Sequence, residues 1–199
     1  PSWLFYNPVF NFLHYVFAGL FILLAGVSSR FSRSNTKRGI KVLIAAIAVT
    51  LATMAIDSIV VFGILHFLGF CMVFYGLTQR FWDRLRGFYA PLLYIILTAA
   101  SAVILNALNP VNIKWLWIFG LWDRNFFSAD YFPLFPWIFV FLLGTWLGRL
   151  IKEERLPHWF YTVNPPILPQ IGRRAFIVYL LHQPVIYGLL MLVKWFFNI

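Results

Sequence analysis

His14, His66 and His182 each stand inside a long apolar run. An ionisable group within a bilayer is costly, so each is a candidate for chemistry. His14 lies about five residues into the first run, roughly 8 Å at the helical rise. His66 sits near the middle of the third, in Phe62–Gly69 (FGILHFLG), bracketed by Gly63 and Gly69, which would let a neighbour or ligand come close. His182 sits near the end of the last run. Tyr179, one turn back, shares its face; Gln183 adds a polar group, and Pro184 frees a backbone carbonyl. If the three rings face one another, they sample outer, middle and inner depths, which suits a path for protons or for a transferred group. Each could equally be a neutral imidazole bonded to a neighbouring helix.

A second set of candidates is cationic. Arg30 and Arg33 follow the first run, Arg149 follows the fifth, and Arg173 and Arg174 precede the last. Arginine suits phosphate, and a helix N-terminus such as that at Arg173 and Arg174 favours anions. For any one arginine, orientation in the membrane is the plainer explanation. No two histidines stand at i, i+4, and Cys71 is the lone cysteine, so no metal site and no disulfide are expected. Cys71 reads as a small packing residue. There is no nucleophile-elbow pattern.

The elements that must position these residues are membrane helices. Hydrophobic residues make up 62% of the 199, aromatic 21% and charged 11%, unlike a soluble domain. Six apolar segments, Val9–Val27, Val42–Ile56, Ile59–Leu77, Tyr89–Leu108, Phe132–Leu147 and Ala175–Phe197, are each about 15–23 residues long, close to the ~20 a bilayer needs. The chain is predicted to be an all-α polytopic bundle, one domain over 1–199. Basic residues collect in alternate loops: Arg30, Arg33, Lys37, Arg38 and Lys41; then Arg80, Arg84 and Arg86; then Arg149, Lys152, Arg155, Arg173 and Arg174. The positive-inside rule makes those loops cytoplasmic and puts both ends of the chain outside. The net charge of +10 flanks apolar spans, which argues for anionic lipid and against nucleic acid. With no basic leader before the first run, an upstream helix is expected, and the chain reads as N-terminally incomplete.

Within that frame, the small residues of Val42–Ile56 predict a helix interior to the bundle. Asn109–Tyr131, rich in tryptophan, reads as the largest outer loop, either an interfacial helix or a lid. Asp130-Tyr131-Phe132-Pro133 reads as the start of the fifth helix. Gly144 and Gly148 predict close helix packing.

Several stretches, in order, carry a resemblance. They are Phe21–Ser29 (FILLAGVSS) with the basic run after it, FGILHFLG, DYFPLFPW at Asp130–Trp137 with Gly144 and Gly148-Arg149, and YLLHQPVIYG at Tyr179–Gly188. Together they resemble bacterial members of the heparan-alpha-glucosaminide N-acetyltransferase catalytic-domain family, multi-pass membrane acyltransferases, over nearly the whole chain. The resemblance implies an upstream helix, a bacterial cytoplasmic membrane, and an acyl group carried from cytoplasmic acetyl-CoA or another acyl-CoA to a sugar or glycan acceptor outside. Lysosomal members carry a proposed catalytic histidine just before the helix matching Val9–Val27. This chain has Phe5, Tyr6 and Asn7 there, and His14 is the nearest histidine.

Acyl transfer from a thioester needs an imidazole as base or nucleophile, donors for the oxyanion and cations for the phosphates. The resulting assignment gives His14, His66 and His182 the chemistry and Arg30, Arg33, Arg149, Arg173 and Arg174 the CoA. Asp130, Tyr179 and Gln183 contact the acceptor. A small transporter or flippase using the same histidines and arginines is the alternative, and a non-catalytic scaffold the third reading. An oligomer through the small-residue faces is compatible with the pattern.

Overall fold

The computed structural model describes residues 8–55, 59–85, 87–113 and 115–162, with 185, 188–189, 191–193 and 196. Contacts divide the chain into two units, Pro1–Arg155 and Leu156–Ile199. The first holds five long helices: α1 (Pro8–Arg30), α2 (Asn35–Met54), α3 (Ile64–Trp82), α4 (Tyr89–Leu108) and α5 (Leu134–Lys152). A 3-10 turn, Leu116–Phe119, lies between α4 and α5. In the second unit, α6 (His158–Thr162) follows Pro157, whose carbonyl accepts from the Phe160 amide.

Four of the helices, α1, α3, α4 and α5, are long and apolar enough to cross a membrane. Helix α2 is equally long but opens with Lys37, Arg38 and Lys41 in its first turns. Hydroxyls inside the helices bond back to carbonyls of their own turn, as Ser29 Oγ does to Ala25 O (2.9 Å) and Thr98 Oγ1 to Tyr94 O (2.7 Å). A polar group in hydrocarbon has no water to turn to, so this local bonding is what makes those residues tolerable there.

Packing follows the small residues. Helix α1 lies against α5 where Gly26 meets Gly144 and where Gly148 meets Val27. A Cβ on Gly148 would stand 2.7 Å from the Val27 carbonyl oxygen, so only glycine permits this approach. Helix α2 lies against α3 in the same way. A Cβ on Gly39 would stand 2.8 Å from Gly69 O, and one on Gly76 would stand 2.9 Å from the Thr36 amide. Helix α4 packs on the other flank of α5, burying Ala90 and Tyr94 and leaving Leu92, Ile95, Ile96, Val103 and Ile104 exposed, as suits lipid. The core between α1, α3 and α5 is filled by Ile22, Phe67, Cys71, Tyr75, Phe141 and Leu142.

Three expectations change. Helix α2 is one-sided rather than interior: Asn35, Gly39, Val42 and Ala46 are buried, while Ile40, Ile44, Ile47 and Leu51 are exposed. Its small residues serve a single face, the one against α3. The third span starts at Ile64 and not at Ile59, because the backbone of 59–63 is extended and pairs with 128–132. Ala129 N donates to Ile59 O (3.0 Å), Phe132 N to Phe62 O (2.9 Å) and Val61 N to Ser128 Oγ (3.1 Å). Arg149 and Lys152, read as loop residues, belong to the last turns of α5.

Candidate functional site

Helices α1, α3 and α5 run parallel, so their polar termini gather into two clusters at opposite ends of the bundle. At the C-terminal end, Arg30 Nη2 pairs with Asp83 Oδ1 at 2.7 Å and Nη1 donates to Asp83 Oδ2 at 3.1 Å. The same Nη1 donates to Tyr75 Oη at 2.6 Å. Arg149 Nη1 donates to the Asp83 carbonyl (3.1 Å) while its Nε pairs with Glu153 Oε1 (2.7 Å). Asp83 therefore ties the ends of all three helices together. The Arg149 guanidinium holds the Glu153 carboxyl below the usual carboxylate range.

Around this tie lie two open recesses. One, of about 310 Å³, is lined by Gly87, Phe88, Trp146, Arg149, Leu150, Glu153 and Arg155. The other, of about 340 Å³, is lined by Arg30, Gln79, Asp83, Arg149, Lys152 and Glu153. Arg149 and Glu153 line both. Cations outnumber acids, and the first recess adds the Trp146 and Phe88 rings. This arrangement can hold a phosphorylated molecule with an aromatic base.

At the N-terminal end, the Asp130 carboxylate accepts from the Ile64 amide (2.9 Å) and so caps α3. The sequence had suggested that it starts α5. That helix begins instead after Pro133, with no side-chain cap. Gly63 leaves the space the carboxylate occupies. Burial raises the Asp130 pKa above the usual carboxylate value, against the Ile64 amide and nearby His14, which lower it. His14 is exposed, its ring 5.6 Å from Tyr15 and 6.0 Å from Phe132. Tyr131 donates to the Trp117 carbonyl, and burial pushes its phenol up to about 12. Trp117 stacks on Phe126 (5.9 Å), and Phe126 meets Tyr131 (4.9 Å). The loop between α4 and α5 is thus a packed aromatic cover carrying a 3-10 turn.

His66 belongs to this same end. It lies in the first turn of α3, two residues beyond the capped Ile64, and not at mid-membrane. Its Nε2 is 3.3 Å from Thr50 Oγ1, and its ring lies 5.8 Å from that of Phe62. Among the described residues its Nδ1 is buried without a partner. The two described histidines of the predicted three-depth series therefore share one end of the bundle, because the third helix starts five residues later than its hydropathy suggests.

Of the predicted cations, Arg30 and Arg149 come together, whereas Arg33 is exposed on the turn after α1 and lines neither recess. His182, Arg173, Arg174, Tyr179 and Gln183 lie outside the described residues. Sequence reasoning missed Asp83, Tyr75, Thr50 and Trp146. Asp83 had a signal, being an acid between basic residues at Arg80, Arg84 and Arg86. The others had none. Among the described residues, no three His, Cys, Asp or Glu side chains gather as metal ligands.

Apolar helices joined by glycine contacts, with basic residues massed at one end and aromatics at the other, define a helical membrane bundle. The family described as heparan-alpha-glucosaminide N-acetyltransferase, catalytic, matches residues 2–184, and the chain belongs to that family. No curated protein and no solved structure matches.

Proposed function

We propose that this chain is a membrane acyltransferase that takes an acetyl group from acetyl-CoA and passes it to a sugar amine or hydroxyl. Family membership supports the class of reaction. The observation that carries the reading is the pairing of a basic, tryptophan-lined recess at one end with an imidazole nitrogen at the other that is unpartnered among the described residues.

The donor's phosphates are held by Arg149, Lys152 and Arg155, and its adenine lies against Trp146. By the positive-inside rule this end is cytoplasmic. Arg30 is already bound to Asp83 and Tyr75, and it keeps the three helix ends in register. Arg149 holds the Asp83 carbonyl, and from Asp83 to His66 is 17 residues, about 26 Å at the helical rise, so the donor has to reach well into the bundle from the basic end. His66 Nδ1 takes the proton as the acceptor attacks the thioester carbonyl. The C–S bond breaks, and the thiolate leaves to be protonated as free CoA. Backbone amides at the start of α3 face the developing oxyanion, and His14 with Asp130 contacts the acceptor at the outer mouth.

The test is acetyl-CoA binding and acetyl transfer by the purified protein in lipid nanodiscs, with glucosamine and short glycans as acceptors. Saturable binding that weakens at least tenfold, about 1.4 kcal/mol, in Arg149→Ala is expected. A well-folded protein that binds no acetyl-CoA refutes the reading and favours the transporter.

A further inference from the structure

The hydrogen bonds around Thr50 fix the protonation pattern of His66. Thr50 Oγ1 lies 2.7 Å from the Val60 carbonyl oxygen. A carbonyl only accepts, so the single hydroxyl proton of Thr50 goes to Val60. What remains on Oγ1 toward His66 Nε2, at 3.3 Å, is a lone pair. Nε2 must then carry the ring proton, and Nδ1 holds the free lone pair. Nδ1 is buried and has no partner among the described residues.

The threonine is itself anchored. Thr53 Oγ1 donates to Thr50 O (3.0 Å) and accepts from Val60 N (3.2 Å). The end of α2 is thereby stitched to the extended segment before α3, and Asp130 caps that same helix one turn away. Thr50 thus sits on a braced element.

We propose that Thr50 is a positioning residue that holds His66 as its Nε2–H tautomer and presents the Nδ1 lone pair to the acceptor's proton. Thr50 does the work a carboxylate or carbonyl does elsewhere, with a neutral hydroxyl in keeping with its apolar surroundings. This rests on the acyltransferase reading for its purpose but not for its geometry.

Two measurements test it. Nitrogen NMR of protein labelled with ¹⁵N-histidine in bilayers, with His66 assigned through His66→Gln, reports the tautomer without any activity. The wild type and Thr50→Ser are expected to show protonated Nε2 and bare Nδ1, and Thr50→Val to lose that preference. In the transfer assay, Thr50→Val is expected to lower kcat at least tenfold with KM within threefold, and Thr50→Ser to recover it to within threefold. A wild-type His66 protonated on Nδ1 overturns the proposal, even if Thr50→Val fails to fold. So does a Thr50→Val protein whose tautomer and kcat match the wild type. A wild type with the expected tautomer but no acetyl transfer leaves the positioning standing and refutes the acyltransferase reading.

Discussion

Removing the Asp83 carboxylate is the sharpest perturbation of the bundle's basic end. The Arg30 side chain is only 9% exposed, and in Asp83→Ala it loses two charge-assisted bonds and keeps, among the described residues, Tyr75 Oη. Stranding one member of a buried ion pair costs about 3–5 kcal/mol. Asp83 is 37% exposed, so water refills part of its place, and about 2–3 kcal/mol is the better figure. For a chain of this length that is a fall in Tm of roughly 4–12 °C. Arg30→Met should cost less, about 1–2 kcal/mol, since the partly exposed carboxylate can hydrate. The double variant removes both charges and should cost less than the sum of the singles, with a coupling of about 1–3 kcal/mol. The assay is reversible unfolding in mixed micelles followed by tryptophan fluorescence, run on all four proteins. Additivity to within about 0.5 kcal/mol would refute the view that Asp83 ties the helix ends through Arg30.

Other outcomes follow from single contacts. In Gly144→Val, the new Cβ would overlap the Leu23 carbonyl and stand 3.1 Å from Gly26 Cα, so α1 must move away. A loss of about 3 kcal/mol or more is expected in the same unfolding assay. Gly19→Ala, whose Cβ would lie 3.4 Å from the Trp137 ring, should be neutral or stabilise by up to about 1 kcal/mol. Asp130→Ala should cost about 1–2 kcal/mol through the lost cap on Ile64, whereas Asp130→Asn keeps an acceptor and should cost a few tenths. Because burial raises the Asp130 pKa in the fold, the folded chain holds that proton to higher pH than the unfolded one. Its stability contribution is full below the unfolded value of about 4 and declines as pH rises through the folded value. Unfolding measured across that range should lose this slope in Asp130→Asn.

Hydropathy located the helices well where the backbone is helical throughout. The predicted Tyr89–Leu108 coincides with α4, and the runs beneath α1 and α5 hold up to their termini. It failed at Ile59–Gly63, which is as apolar as the helix that follows. Nothing in the pattern told an extended apolar segment from a helical one, because its Ile59 and Phe62 carbonyls and its Val61 amide pair with residues 67–70 positions away. The misplacement of His66 follows from that error alone. Asp130 was read as starting the fifth helix, because a start signal is assigned to the next helix in sequence. The helix it caps lies earlier in the chain. Thr50 gave no signal at all, since a threonine among alanines reads as a small packing residue until its neighbours are known.

The arginines at the basic end are chemically unequal. Arg30 has its Nη1 shared between Tyr75 and Asp83 and its Nη2 on Asp83, and its side chain is nearly enclosed. To meet a phosphate it would have to give up an anion it already holds, exchanging one buried charge pair for another with little net gain. Arg149 differs: Nε and Nη1 are engaged by Glu153 and the Asp83 carbonyl, and it lines both recesses. Arg155 is 65% exposed beside it. On the proposed reading, an incoming polyphosphate meets Arg149, Lys152 and Arg155 first and competes with Glu153 for Arg149 and Arg155. Glu153 is exposed enough to rehydrate when displaced, so the exchange costs little there. On this reasoning Arg30→Ala should damage folding more than donor affinity, and Arg149→Ala the reverse. Donor titrations of each variant that remains monodisperse in detergent would separate the two roles, and a larger loss of affinity in Arg30→Ala than in Arg149→Ala would reverse the assignment.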